Sequence, residues 1–229
     1  MEVSMKILSV RRGFASDHSS TSYEFLAVDK PLRKKEQAEV SRLSSRVNPT
    51  TRRANFIYHV DGYDIPGGWK KLMARYYDVM YSESYGWWML AMAWKAIPGQ
   101  FEELLQFEFE GATEGMGIDI ENVEERTIVT IHCAVEMGMP YSAYNEYYDD
   151  EDEDEECDDE SGMFATDDEL LNALIQVRQQ IIGGDYRALY AVWEKYGDIN
   201  DENTPPKPEE RKTGEQIVSN FKSMLGYIE

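Results

Sequence analysis

Cysteine and histidine are scarce in this chain, which has two of the first, Cys133 and Cys157, and three of the second, His18, His59 and His132, among 229 residues. The cysteines stand far apart, and Cys157 sits inside an acidic run where a disulfide would constrain little, so a reduced, cytoplasmic setting is expected. Metal centres need several His or Cys ligands at short spacing. The one close pair here, His132 and Cys133, is adjacent, and adjacent side chains of a strand point to opposite faces. No metal and no cofactor are expected. Long apolar runs are missing too. No stretch approaches the roughly 20 apolar residues of a membrane helix. The opening "MEVSMKILSVRRGF" has too short an apolar core for a signal peptide, with basic residues after it rather than before. A soluble, unexported protein without a membrane partner follows as the expectation.

Acid is what the chain has in abundance. The formal net charge is −21, and about half of it is local, because "DDEDEDEECDDE" (149–160) holds eleven acids in twelve positions. Such a block repels itself and cannot bury apolar surface, so it reads as a disordered, solvated linker. The opposite sign gathers upstream. Between Lys30 and Arg53 the basic residues Lys30, Arg33, Lys34, Lys35, Arg42, Arg46, Arg52 and Arg53 face two acids, Glu36 and Glu39, for a local charge of +6. The charge of the whole chain opposes approach to nucleic acid.

Hydrophobic periodicity divides the chain into a mixed N-terminal part and a helical C-terminal part. "MKILSVRRGF" and "SYEFLAVD" read as strands, "LRKKEQAEVSRLSSRV" as a modest amphipathic helix and "RANFIYHVDGYD" as a strand. After the breaker "IPGG", the spacing of Trp69, Leu72, Met73, Tyr76, Tyr77 and Met80 predicts a helix reaching Gly86. "WWMLAMAWK" is apolar on both faces, as a buried strand or a buried helical turn would be. "PGQFEELLQFEFE" reads as a helix and "ERTIVTIHCAVEM" as a strand. This order predicts an α+β fold: a mixed or antiparallel sheet with helices on one face, with a ferredoxin-like core as one form it could take. Beyond the acidic run, Leu170, Leu174, Val177 and Ile181 form one stripe and Tyr186, Leu189, Tyr190, Trp193 and Tyr196 another. With Gly183 and Gly184 as the stop and Asp185 as a cap, they predict a helical hairpin. A proline-rich segment, "NDENTPPKPEERKTG", precedes a last amphipathic helix. The expected division is an α+β domain over 1–140, an acidic linker over 141–166, and a helical part over 167–229 that packs on the first domain or stands apart.

One stretch carries the residue types of a catalytic triad. "GFASDHSSTSYEF" holds Ser16, Asp17, His18, Ser19 and Ser20 in succession. Triads converge from separate loops, whereas consecutive side chains diverge, and no G-x-S-x-G elbow is present. A hydrogen-bonded turn formed by Gly13, Phe14, Ser16, His18, Ser19 and Ser20 is the simpler reading, with a small hydrolase using Ser16, His18 and Ser19 as the alternative. "IPGGWK" lacks the phosphate-loop arrangement. Trp69, Tyr76 and Trp193 fall at helical spacings that suit core or interface better than a stacking platform for bases.

The segments "SYEFLAVDKPLRKKEQAEVSRLSSR", "HVDGYDIPGGWKKLMARYYDVMYSESYGWWMLAMAW" and "LIQVRQQIIGGDYRALYAVW" resemble a widespread family of uncharacterised bacterial proteins. Its members begin with a Tyr-Glu-Phe-Leu-Ala strand and end with a Gly-Asp-x-Arg-x-Leu-Tyr-x-x-Trp helix. The resemblance implies gene neighbours that encode SWIM zinc-finger or AAA-ATPase proteins in multi-gene defence or conflict systems. It supplies no catalytic residue. Separately, "VRRGFASDHSSTSYEF" resembles an R-x-G-F-x-S-N-S-S-S-S-S-F segment at the start of many bacterial and phage proteins, departing from it at Asp17 and His18.

Together these readings predict a cytoplasmic, non-enzymatic protein-interaction or regulatory module. Arg33, Lys34, Lys35, Arg52, Arg53, Trp69, Tyr76 and Trp193 are its candidate contact residues, and an AAA-ATPase or SWIM zinc-finger protein its candidate partner. The acidic run could neutralise the basic segment and gate that surface, or only solubilise the chain. A nucleic-acid mimic built from the run is a further alternative, which requires its acids at phosphate-like spacing.

Overall fold

A computed structural model of the chain describes residues 20–45, 47–59, 65–84, 87–135, 166, 168–198 and 204–226. Among the described residues, seven strands form one sheet. In chain order they are β1 (Ser20–Leu26), β2 (Arg53–His59), β3 (Val79–Ser84), β4 (Trp87–Lys95), β5 (Phe109–Glu110), β6 (Gly117–Val123) and β7 (Arg126–Cys133). Six helices accompany them: α1 (Lys34–Ser41), α2 (Trp69–Arg75), α3 (Gln100–Leu104), α4 (Glu169–Ile182), α5 (Arg187–Tyr196) and α6 (Glu215–Met224). Spatial order in the sheet is β2-β1-β3-β4-β7-β6-β5, and every neighbouring pair is antiparallel. The α+β class and the antiparallel sheet are as expected. The strand order is not that of a ferredoxin-like core, in which two strands joined through a helix are separated by a third: β1 and β2, joined through α1, are direct antiparallel neighbours.

Helices cover both faces of the sheet rather than one, and the cause is visible in β4. Along it the large Trp88, Leu90, Met92 and Trp94 point to one face and the small Ala91 and Ala93 to the other. The large side chains join Val79, Tyr81, Ile118, Ile120, Val129, Ile131 and Cys133 in a core closed by α4, α5 and α6, through Leu174, Val177, Leu189, Val192 and Phe221. Opposite, the two alanines leave room for α2, whose Leu72 and Met73 pack with Phe25, Phe56, Tyr77 and Val40 of α1. Phe25 lies 5.2 Å from Tyr77 and 5.7 Å from Phe56 between ring centroids. Tyr23 and Phe25 thus enter the core as the alternation of β1 predicts.

Two elements differ from the sequence reading. The helix expected across Trp69–Gly86 ends at Arg75, because Tyr76 leaves helical geometry (φ −128°) and β3 follows. Residues 79–82 are buried on both faces, so aromatic spacing that suits a helix suits this strand equally. The helix expected over 98–110 shortens to α3 and one 3-10 turn, Leu105–Phe107, before β5. The helical hairpin is present. Gly184 adopts the left-handed geometry (φ 75°) and Asp185 accepts a bond from the Arg187 amide. Among the described residues no helix is long and apolar enough to cross a membrane.

Candidate functional site

Asp78, between α2 and β3, organises the end of the sheet where β1 and β3 meet. Its amide donates to Leu26 O at 2.9 Å, and its carbonyl accepts from Ala93 at 2.8 Å. One carboxylate oxygen accepts from the amides of Val28 (2.7 Å) and Asp29 (2.9 Å), turning the chain out of β1. The other accepts from Arg126 Nη2. Arg126 also donates to the carbonyls of Met73 (2.7 Å), Tyr77 (2.8 Å) and Ala93 (2.8 Å), tying α2 to β4 and β7. From the opposite face of the sheet, the fully buried Arg178 of α4 donates through Nε to Ala93 O at 2.8 Å and through Nη2 to Asp29 at 2.6 Å. Its Nη1 has no acceptor among the described residues. Charged, hydrogen-bonded pairs of this kind fix geometry more surely than they add stability.

Above this network opens a cleft of about 660 Å³, lined by Asp29, Lys30, Ala74, Arg75, Tyr76, Asp78, Lys95, Glu124, Glu125 and Arg126. Its walls are pinned from within. Arg75 donates twice to Glu124, at 2.6 and 2.8 Å, and this hydrogen bond holds the Glu124 carboxyl below its ordinary range. Glu124 opens the two-residue turn between β6 and β7 with φ 57°, a left-handed conformation costly for a residue with a side chain. The Tyr76 hydroxyl donates to Glu39 of α1 at 2.5 Å, and burial together with that bond pushes its phenol up to about 12. Lys30, Lys95 and Glu125 are different. Among the described residues none of these three side chains has a hydrogen-bond or ion-pair partner, so they are the lining charges available to a ligand.

The sequence-predicted contact residues divide around this cleft. Tyr76 lines it. Arg33, Lys34 and Lys35 begin α1 three residues beyond Lys30, and the backbone bond from Leu32 N to Thr51 O (2.5 Å) brings Arg52 and Arg53 to the same end of the sheet. Arg33 pairs with Glu36 at 2.6 Å, and Lys35 lies 3.9 Å from Glu39. Arg52 donates to the carbonyls of Ala27 (2.9 Å) and Val28 (3.0 Å), bracing the loop that carries Asp29. Arg53 is partly buried at the start of β2. Trp69 packs against the second core under the Lys70 ammonium, 5.6 Å from its ring, and Trp193 is buried beside Tyr190.

Gly13, Phe14, Ser16, His18 and Ser19 lie outside the described residues, as do the first predicted strand and the acidic run. Ser20 belongs to β1 rather than to a turn, and both flanks of β1 are occupied, by β2 and β3. His132 pairs with Asp119 at 3.0 Å. Among the described residues no three His, Cys, Asp or Glu side chains gather into a metal-binding group. Sequence reasoning passed over Asp29, Asp78, Lys95, Arg126 and Arg178. A usable signal existed for Arg178, which interrupts the apolar stripe of α4 between Leu174 and Ile182.

No protein-family model, curated protein or solved structure matches the chain.

Proposed function

We propose that the protein is a cytoplasmic, non-enzymatic protein-interaction module that grips an acidic group of its partner at the cleft beneath β1, β3, β4 and β7. One observation carries this reading. In a chain of net charge −21, the segment 30–35, which enters the cleft at Lys30, is cationic, and Lys30, Lys34 and Lys95 have no ion-pair partner among the described residues. Opposed to so acidic a background, a local basic surface steers an acidic partner patch to one orientation. The backing network makes the surface rigid, which lowers the entropy lost on association. The resemblance to bacterial multi-gene systems makes an AAA-ATPase or SWIM zinc-finger protein the first partner to seek.

The test uses the full chain as bait in lysate of its native cell, followed by titration of the purified partner at several salt concentrations. Replacing Lys30, Lys34 and Lys95 by alanine should weaken binding about tenfold or more and flatten its salt dependence. Equal affinity and equal salt dependence in the triple variant would overturn the reading.

A further inference from the structure

The chemistry of the cleft narrows what it holds. Each guanidinium at the site is already paired with a carboxylate of the protein, Arg75 with Glu124, Arg126 with Asp78 and Arg178 with Asp29, although Arg178 Nη1, buried, has no acceptor among the described residues. The arginine forks, the usual partners of a planar carboxylate, thus already hold carboxylates of the protein itself. The cations left are ammonium groups, compact point charges that suit an anion of higher charge. The lining cations Lys30, Arg75, Lys95 and Arg126 equal the lining carboxylates Asp29, Asp78, Glu124 and Glu125 in number, and Arg178 behind the wall pairs with Asp29. Among the unpartnered groups the excess is two lysines against Glu125.

We infer that the cleft binds a phosphoryl group, held between the ammonium groups of Lys30 and Lys95. A phosphomonoester carries about −1.5 to −2 at neutral pH, and so can balance the charge of both lysines where a single carboxylate balances one. Glu125 opposes it and sets an upper limit on affinity for the bare anion. Arg178 and Asp78 do not touch the ligand. They hold Asp29 and the chain from Val28 to Lys30 in place, and Arg178 adds a buried positive charge behind it. The inference rests on reading this cleft as the recognition surface, and it replaces an unspecified acidic group by a phosphorylated one. The same chemistry has two sources, a free phosphate ester or a phosphorylated side chain of a partner.

The experiment is an amide chemical-shift titration of the full-length protein with three probes: inorganic phosphate, a blocked Gly-phosphoserine-Gly tripeptide and a blocked Gly-Glu-Gly tripeptide. Shifts should cluster on residues 28–32, 94–96 and 123–126. Lys30→Ala with Lys95→Ala should weaken the phosphorylated probes about tenfold. Lys207→Ala with Lys212→Ala, which removes the same charge from the segment before α6, should leave them unchanged, and Glu125→Gln should strengthen them. Tighter binding of the phosphotripeptide than of phosphate assigns the source to a protein side chain, and the reverse assigns it to a free anion. No binding of either phosphorylated probe, or equal loss in both lysine pairs, would overturn the inference. If the glutamate tripeptide binds as tightly as the phosphorylated one, the phosphoryl assignment fails and the interaction reading stands. If phosphate binds as described but partner affinity ignores the lysine variants, the interaction reading fails alone.

Discussion

Arg178 Nη2 meets the carboxylate of Asp29 at 2.6 Å across 149 residues of sequence, joining helix α4 to the loop that leaves β1. The two ends of this pair live in different environments. The arginine side chain is 1% exposed and the aspartate 53%. An exposed carboxylate that loses its partner is rehydrated at little cost, whereas a buried guanidinium that loses its acceptor is not. Ala93 O, which also accepts from Arg126, keeps a donor whether or not Arg178 is present.

That asymmetry predicts unequal mutants. Arg178→Met puts an apolar chain of similar length in the buried position and should change stability by less than about 2 kcal/mol. Asp78→Ala removes the acceptor of Arg126 and of the Val28 and Asp29 amides, together with a carboxylate 3.7 Å from Arg178, and should cost about 3–5 kcal/mol. Urea unfolding of both variants decides it. Equal losses would show that the network is not centred on Asp78.

Tyr77 offers a test on the other face. Its ring is fully buried against Phe25, yet among the described residues its hydroxyl has no hydrogen-bond partner, and burial holds its phenol well above the ordinary range. Tyr77→Phe should therefore leave stability unchanged or raise it by about 1 kcal/mol, since a desolvated donor is removed and the shape is kept. The folded phenol resists ionisation while the unfolded one ionises near pH 10, so wild-type stability falls as pH rises through and above that value. The variant should lose less over this alkaline range in denaturant titrations. A marked loss of stability at neutral pH would show that the hydroxyl has a partner.

What the sequence made legible follows from where periodicity is unambiguous. The α4–α5 hairpin has one-sided stripes and a double glycine, so Leu174 and Tyr196 announce their faces directly. β3 is buried on both faces, and Tyr77, Met80 and Tyr81 then fit a helical repeat as well as a strand. β6 went unseen although Ile118 and Ile120 alternate with Asp119 and Glu121, because its turn to β7 is Glu124-Glu125 and lacks the usual glycine. The cleft was the least legible feature. The basic run ending at Arg53 drew attention to Arg33 and Arg52, which are spent on Glu36 and on backbone carbonyls. Lys95 and Asp78 are single charges at strand ends, and only the folding of β1 beside β3 gives them meaning.

Cys133 should behave as an inert thiol. It is buried in the first core, and desolvation pushes its thiol up to about 12, only slightly offset by Lys195. The thiolate is the reactive form, so in the native protein at pH 8 iodoacetamide should leave Cys133 unmodified and label it once the protein is unfolded. Peptide mass spectrometry separates it from Cys157. Native-state labelling of Cys133 at a rate close to that of the unfolded chain would mean that the end of β7 opens readily.

Arg187 is one of the side chains that attach α6, with Gln180, which donates to Gly214 O at 2.8 Å, and Lys222, which pairs with Glu194 at 3.1 Å. Arg187 donates to the carbonyls of Arg211 (2.5 Å) and Thr213 (2.6 Å) while its Nη2 and Nε bind Asp185 at 2.7 and 2.9 Å. It therefore grips the segment that delivers Phe221, Met224 and Leu225 to the core. Burial alone would raise the Asp185 carboxyl, but the hydrogen bonds and charge of Arg187 outweigh it and the net shift is downward. A depressed carboxyl contributes stability that is complete above the unfolded value near pH 3.9 and is lost as pH falls through the lower folded value. Arg187→Met should cost about 1–2 kcal/mol at pH 7, reduced by solvent screening, and should flatten the dependence of stability on pH below about 4. Hydrogen exchange should show the loss concentrated in residues 211–224. Uniform loss across α4, α5 and α6, with the acid limb unchanged, would place the grip elsewhere.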